Sequence, residues 1–219
     1  MVSRHPAPTH VASPREAILD AASALFGEVG YHRMTIDEVA KRANLGKGTI
    51  YLYFDSKQEL AISILSRMNG RVREQHRATL RSHGTPEERL RTMLIERVMM
   101  RFDLVRDYRE GLDQMYACMR PLLLEKRRTC SEEEALDFME ILVEGRTVGA
   151  FECDDPAGTA RALLAATASL LPYSLSATEL GSRKDLEERA LFMSDMLIRA
   201  LRPCDPNGMI GQRIYGGDR

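Results

Sequence analysis

The chain has 219 residues, of which 44% are hydrophobic and 29% are charged, a mixture typical of a folded globular protein and not of a disordered one. Its 31 lysines and arginines nearly balance its 32 aspartates and glutamates. This near-neutral sum excludes a protein that is basic over its whole surface, although it is compatible with a local basic face.

The composition indicates a cytoplasmic protein. The four cysteines are widely spaced and form no C-x-x-C pair, which argues against a disulfide scaffold or a cysteine zinc site and favours a reducing compartment. The N-terminus has no apolar segment of signal-peptide length, and the longest apolar stretch, 162–172, is about half as long as a membrane span. We therefore expect no membrane partner, and no pattern indicates a metal or a cofactor.

The N-terminal part predicts an arm followed by short helices. Residues 1–14 carry three prolines and no apolar periodicity, which indicates a flexible arm. From Arg15 apolar residues recur every three or four positions as far as Gly30, which predicts a first helix that ends at this glycine. A second helix is expected to begin at Thr35, because Glu38 follows it at capping-box spacing.

A third helix over 46–53 is expected after a break at 43–45. The two short helices meet three requirements of a helix-turn-helix. Ala40 is small where the helices cross, Asn44 tolerates left-handed backbone geometry in the turn, and Ile50 supplies an apolar anchor ten residues after the alanine.

The rest of the chain predicts helices and no strands, so the expected fold class is all-α. We expect a three-helix helix-turn-helix domain over 15–60, a helical domain over 61–202, and a loose tail over 203–219, which holds two prolines and four glycines. The later helices are expected at 57–81, 86–109, 111–120, 121–128, 131–149, 156–176 and 183–202.

The third helix carries a surface suited to DNA. When Ile50 faces inward, the opposite face displays hydroxyl groups, a glycine and a leucine, with a lysine at the helix start. Hydroxyls and a lysine contact phosphates or base edges, and a glycine lets the DNA backbone approach closely. Taken singly, the same residues indicate only a surface turn or half-buried aromatic packing. The residues concerned are Lys47, Gly48, Thr49, Tyr51 and Leu52.

Two further positions are candidates for phosphate contacts. Thr35 and the free backbone N–H groups beside it would form an anion site at a helix start, and Lys57 begins the fourth helix. Over residues 15–57 six basic and six acidic residues cancel. DNA binding therefore requires the cations, such as Arg42, to face the phosphates while acids such as Glu28 are turned away.

Residues 15–60 resemble the N-terminal DNA-binding domain of TetR-type transcriptional regulators, through the segment "AILDAASALFGEVGYHRMTIDEVAKRANLGKGTIYLYFDSKQEL". The resemblance implies a homodimer that reads a palindromic operator in double-stranded DNA, and a small-molecule effector that weakens this binding. It implies DNA contacts at seven positions, which are Thr35, Lys47, Gly48, Thr49, Tyr51, Tyr53 and Lys57.

Three positions depart from the family pattern. Asn44 stands where glycine is usual, which left-handed geometry tolerates. Gly46 stands where a serine or threonine often caps the recognition helix, so the cap is weaker. Leu52 stands where a histidine is common, so one phosphate contact is absent or is replaced by packing.

The second domain is expected to bind the effector and to dimerise. Residues 156–176 are apolar around most of the helix, which favours a subunit interface over a plain core helix, and 183–202 adds an apolar stripe. A methionine-rich lining suits apolar ligands, although methionines at helical spacing are also ordinary core, and Arg97 and Arg101 are more typical of a solvated face. The candidate pocket residues are Met99, Phe102, Met115, Tyr116, Met119 and Phe138.

These features together predict a transcriptional regulator, and specifically a repressor that a small apolar ligand releases from its operator. The alternative is a helical ligand carrier or scaffold in which the helix-turn-helix is only architecture. An enzyme is not expected, because the five histidines form no H-x-x-H pair and neither a G-x-S-x-G nor a phosphate-loop pattern occurs.

Overall fold

The computed structural model of the chain describes residues 13–171 and 181–203, except for the side chains at 107, 109 and 110. Within these ranges all regular structure is helical, which confirms the all-α prediction. The predicted arm, 1–14, and the predicted tail, 203–219, lie almost entirely outside the described residues.

The first three helices begin and end close to their predicted positions. Helix α1 spans Pro14–Arg33, and the Ser13 hydroxyl accepts a hydrogen bond from the backbone N–H of the third helical residue. Gly30, with φ 75° and ψ 175°, interrupts the helical geometry where the sequence predicted the helix to end. Two helices of seven residues each follow, α2, Ile36–Arg42, and α3, Lys47–Tyr53.

Helix α5, Pro86–Thr147, replaces the four helices predicted between 86 and 149. Its backbone leaves helical geometry at Tyr108 and Met119, close to two of the three predicted breaks. Pro121 explains the second kink, because its ring removes an N–H donor and clashes with the preceding turn. The break predicted at 129–130 is wrong, because no proline or glycine interrupts the helix there.

The remaining helices agree with the predicted pattern. Helix α4 spans Lys57–Leu80, α6 spans Pro156–Thr167 and continues as a 3₁₀ turn over Ala168–Leu170, and α7 spans Arg183–Leu201. The helix predicted over 156–176 is therefore too long, since the α-helix ends at Thr167 and Leu171 is already extended, and 172–176 lie outside the described ranges. None of the described helices combines the length and the apolar character needed to cross a membrane.

The chain folds into two compact units. Among the described residues, the first unit contains 13–72 together with Phe102–Cys130, and the second unit contains Arg73–Arg101, 131–171 and 181–203. The sequence instead predicted a single domain over 61–202, followed by a tail over 203–219. An apolar helix stripe does not itself reveal which core it joins, so the sequence did not show that 102–130 belongs with α1–α3.

Two glycines of α5 let an aromatic ring pack directly on the helix backbone. A Cβ on Gly111 would lie 2.7 Å from Cζ of Phe26 in the first unit. Gly145 makes the equivalent close approach to Phe151 in the second unit. Each core thus contains a ring on α5 at a position where any added side chain would clash.

Candidate DNA-binding site

The predicted capping box opens α2. The backbone N–H of Glu38 donates to the Thr35 hydroxyl at 3.2 Å, and the Thr35 N–H donates to the Glu38 carboxylate at 3.1 Å. The Thr35 hydroxyl also donates to that carboxylate at 2.8 Å. An anion arriving at this helix start would therefore compete with the carboxylate of Glu38, which sequence reasoning did not foresee.

The turn between α2 and α3 has the geometry that the sequence predicted. Asn44 takes a φ of 55°, in the left-handed region. The Leu45 N–H donates to the Ala40 carbonyl at 2.9 Å and so fixes the path of the turn. Gly46 begins α3 without a side-chain hydrogen bond, in agreement with the weak cap predicted there. Ile50 has no exposed surface and anchors α3 to the core of the first unit.

Helix α3 is exposed around this single buried anchor. Tyr51 is 47% exposed and Tyr53 is 40% exposed, so each ring presents part of its surface to solvent. Leu52 is 82% exposed, so of the two alternatives predicted for this position, packing within the chain does not occur. Lys47 and Gly48 are exposed, and Thr49 is half-buried.

Gly48 is not required by the packing of the protein. A Cβ added at this position would meet no atom within 4 Å, and its backbone is helical. Glycine inside a helix costs about 1 kcal/mol relative to alanine. The missing side chain therefore weakens α3 without relieving a close contact among the described residues, and it leaves the backbone of α3 open to a partner that approaches from outside.

Several cations of the DNA-binding region are paired with acids of the same region. The Lys47 ammonium lies 2.7 Å from the Asp37 carboxylate, and this hydrogen bond raises the pKa of Lys47. Arg42 donates to both oxygens of Glu28 at 2.6 Å. The expectation that Arg42 faces phosphates while Glu28 is turned away is therefore wrong for the protein as it stands without DNA.

Lys57 is directed at the protein. Its ammonium donates to the His32 carbonyl at 3.0 Å and lies 4.5 Å from the centre of the Tyr31 ring. Burial lowers the pKa of Lys57. The sequence pattern did not reveal this role, because His32 and Tyr31 come from the end of α1, far away along the chain.

A buried polar cluster occupies the second unit. Arg97 and Arg101 are 4% and 5% exposed, so the expectation of a solvated face is wrong. Arg101 donates to the two oxygens of Glu134 at 3.0 and 3.1 Å, and Arg97 donates to the Thr167 hydroxyl at 2.6 Å. The His76 ring is fully buried, with Nδ1 3.8 Å from Glu134. We refer to these five residues as the buried polar cluster.

The surroundings of Glu134 and His76 in this cluster determine which of the two is charged at neutral pH. Burial by itself raises the pKa of Glu134. The neighbouring Arg101, Arg97 and His76 together lower this pKa by more than burial raises it, so the carboxylate is charged at neutral pH. Burial lowers the pKa of His76 to about 4, so its ring is neutral there. No sequence pattern indicated that Glu134 is buried, because it lies in the acidic run "SEEE", which is typical of a surface.

The six candidate pocket residues are divided between the two units. Met115 and Met119 are buried in the core of the first unit, with Tyr116 packed against it, whereas Phe138 belongs to the core of the second unit. Met99 and Phe102 are also buried. Their role in binding a ligand stays a prediction.

Comparison with known proteins identifies the N-terminal domain. Residues 18–64 match the family described as "Bacterial regulatory proteins, tetR family". This part of the chain is therefore similar to proteins of the TetR family. We call residues 18–64 the TetR-type domain from here on.

Two curated relatives match over part of the chain. The fatty acid metabolism regulator protein of Bacillus subtilis is 36% identical over 73 residues, which are 33% of this chain and 38% of that protein. The HTH-type transcriptional repressor KstR of Mycolicibacterium smegmatis is 37% identical over 93 residues, which are 42% of this chain and 46% of KstR. The match thus spans less than half the length of either relative.

Solved structures share the fold over most of the chain. A transcriptional regulator from Cytophaga hutchinsonii aligns with a TM-score of 0.72 at 18% identity, covering 86% of this chain and 98% of that one. A regulator of the TetR/AcrR family from Thermobifida fusca aligns with a TM-score of 0.63 at 23% identity, with the same coverage of 86% and 98%. These likenesses show that the all-helical fold of such regulators extends beyond the TetR-type domain into the second unit.

Proposed function

We propose that the protein is a transcriptional repressor that binds a palindromic operator as a homodimer and leaves it when a small apolar ligand binds. The observation that carries this proposal is the exposed face of α3. Gly48 lowers the stability of this helix relative to alanine, although no contact among the described residues requires a glycine there. A glycine of this kind is useful where another macromolecule must approach the helix backbone closely.

The chemistry of α3 suits the major groove. Lys47 is an exposed cation, and Thr49 and Tyr51 carry hydroxyls that bind phosphates or base edges. In this proposal Tyr53, Thr35 and Lys57 contact phosphates at the margin of the site. Binding would break the ion pair between Lys47 and Asp37, because the ammonium exchanges a carboxylate for a phosphate or a guanine.

Dimerisation is supported by apolar surface on the second unit. Helix α7 exposes three large apolar side chains, since Leu191, Phe192 and Met196 are 41%, 74% and 50% exposed. Helix α6 exposes small side chains at Ala162 and Ala165, which permit close helix approach. A dimer would place two recognition helices about 34 Å apart, which matches successive major grooves on one face of DNA.

Ligand control is supported by the interior of the second unit. Neither ring nitrogen of the buried His76 has a hydrogen-bond partner among the described residues, so a polar atom of a ligand would gain a partner there. The regulator FadR of Bacillus subtilis, whose structure contains stearoyl-CoA, aligns with a TM-score of 0.58 at 21% identity, a likeness of fold alone. Release requires the ligand to bind the form that does not fit the operator more tightly than the form that does.

Selection of bound fragments from random double-stranded DNA tests the DNA-binding proposal. We expect a palindrome whose half-site centres are about one helical turn apart. Tyr51→Ala should reduce affinity for this operator more than tenfold, and Lys47→Ala should also reduce the dependence of affinity on salt by about one phosphate contact per subunit.

The matched control is Arg81→Ala, which removes an exposed cation just after α4 in the second unit, outside the helices proposed for the dimer. It should leave operator affinity unchanged. Selection of no specific sequence, or unchanged affinity of both α3 variants at low salt, would contradict the proposal and favour the carrier or scaffold alternative.

A further inference from the structure

Leu52 is a large apolar side chain that the protein leaves in solvent. At 82% exposure it exceeds Phe192, at 74%, and every other large apolar side chain of the described ranges. It lies two residues after Ile50, which has no exposed surface, so it projects from the side of α3 opposite the core. No contact inside the chain accounts for a leucine at this position.

The space beside Leu52 on α3 is open, because Gly48 has no side chain. Residues four apart lie on the same helix face, with Cβ positions about 6 Å apart. A Cβ on Gly48 would meet no atom within 4 Å, so the side chain of Leu52 does not fold over the glycine. The outermost part of α3 is therefore an apolar side chain next to uncovered helix backbone.

The edges of the bases offer one apolar group to such a surface. In the major groove, bases present hydrogen-bond donors, acceptors and the C5-methyl group of thymine, and leucine makes neither kind of hydrogen bond. The polar side chains of α3, at Lys47, Thr49 and Tyr51, suit the other groups. A leucine beside an open glycine discriminates between bases only by contact with a methyl group.

We propose that Leu52 is a specificity residue that reads a thymine, by seating its C5-methyl group between the leucine side chain and the backbone at Gly48. This inference rests on the proposed function, since it places α3 in the major groove.

The test removes single methyl groups from the DNA. In the operator obtained by selection, each thymine of the half-site is replaced in turn by deoxyuridine, which lacks only the methyl group, and the dissociation constant is measured by fluorescence anisotropy. For the natural chain we expect one thymine whose replacement weakens binding about fourfold per half-site. For Leu52→Ala the same replacement should have no effect, while the effects at other thymines persist.

Two controls separate this contact from loss of folding. Thermal unfolding of Leu52→Ala should match the natural chain, because the side chain is already 82% exposed. Leu52→Met keeps an apolar side chain of similar length and should keep part of the methyl dependence.

Two different failures are distinguishable. An operator at which every deoxyuridine replacement affects the natural chain and Leu52→Ala equally would overturn the role of Leu52 and leave the proposed function standing. Selection of no specific DNA would overturn the proposed function and the role of Leu52 with it.

Discussion

The interiors of the two units differ in chemistry. Of the ten buried polar side chains in the described ranges, only Ser23 lies in the first unit, and the other nine lie in the second. These nine are His76, Thr79, Arg89, Arg97, Arg101, Glu134, Asp137, Thr167 and Ser194.

The difference shows where each unit can respond to a partner. The first unit has an apolar interior and carries its polar chemistry on the exposed face of α3, so it is suited to presenting a fixed surface. The second unit holds charges in a low-dielectric interior, where each must keep its partners and where losing one is costly. A ligand bound inside the second unit would therefore contact buried charged side chains. Their positions depend on the ion pairs and hydrogen bonds that they make with one another.

Removal of Glu134 should have the largest effect. Glu134→Leu leaves Arg97 and Arg101 buried without this carboxylate, and we expect the free energy of unfolding to fall by about 3–5 kcal/mol. Urea denaturation followed by circular dichroism measures this. Its neighbour Glu133 has a side chain 49% exposed in its pair with Arg73, so Glu133→Gln should cost less than about 1 kcal/mol. Equal losses in the free energy of unfolding for the two variants would mean that the buried ion pairs of Glu134 contribute no more to stability than the exposed pair of Glu133.

Acid should destabilise the protein through His76. The pKa of His76 is about 4 in the folded chain and about 6.5 when unfolded, so the unfolded chain binds the extra proton between these values. The free energy of unfolding should therefore fall by about 3 kcal/mol as the pH decreases from 6.5 to 4. His76→Phe should lack this part of the pH dependence, whereas a variant of the exposed His83, His83→Gln, should retain it. A slope that persists in His76→Phe would assign the effect to other groups.

An added side chain where Phe26 packs against α5 should also destabilise the first unit. Gly111→Ala puts a Cβ 2.7 Å from Phe26, and we expect a loss of about 1–3 kcal/mol in the free energy of unfolding. The control is Gly70→Ala in α4, where the added Cβ meets nothing within 4 Å and higher helix propensity should stabilise the chain by up to about 1 kcal/mol. Opposite signs for these two variants distinguish packing from propensity, and a neutral Gly111→Ala would show that the ring of Phe26 moves freely.

The smallest expected effect concerns the surface of the first unit. Asp37→Asn removes the partner of Lys47 and one negative charge from the proposed DNA-binding face, so operator affinity should rise roughly two- to fivefold at low salt. Fluorescence anisotropy over a series of salt concentrations checks this. The control, Glu133→Gln, removes one negative charge and the exposed partner of Arg73 from the second unit, and it should leave operator affinity unchanged. Unchanged affinity for Asp37→Asn would indicate that the ion pair persists on DNA.

Much of the TetR-type domain could be predicted because its signals are local. The capping box at Thr35, the left-handed Asn44 and the buried Ile50 each depend on residues close in sequence, and the structure contains all three. The ion pairs could not be predicted in the same way. Arg42 meets Glu28 across 14 positions, and nothing in the spacing of charges distinguishes that partner from a phosphate.

The buried polar cluster illustrates the same limit in the second unit. Arg101 and Glu134 are 33 positions apart on α5, and each lies in a charged segment that resembles a solvated face. The helices themselves were predictable from apolar periodicity. Which of their polar residues turn inward was not, because an arginine inside a helix has the same sequence pattern whether it faces water or a buried carboxylate.

The amino-acid sequence by itself determined that the chain is helical, where the turn of the helix-turn-helix lies and which residues α3 presents, because backbone propensity, capping and apolar periodicity act over a few residues. Only the tertiary structure decided that 102–130 joins the first unit, that Lys47 and Lys57 have partners within the protein, and that Arg97 and Arg101 are buried with Glu134. These outcomes depend on which distant surfaces exclude water together, and that is a property of the packed chain.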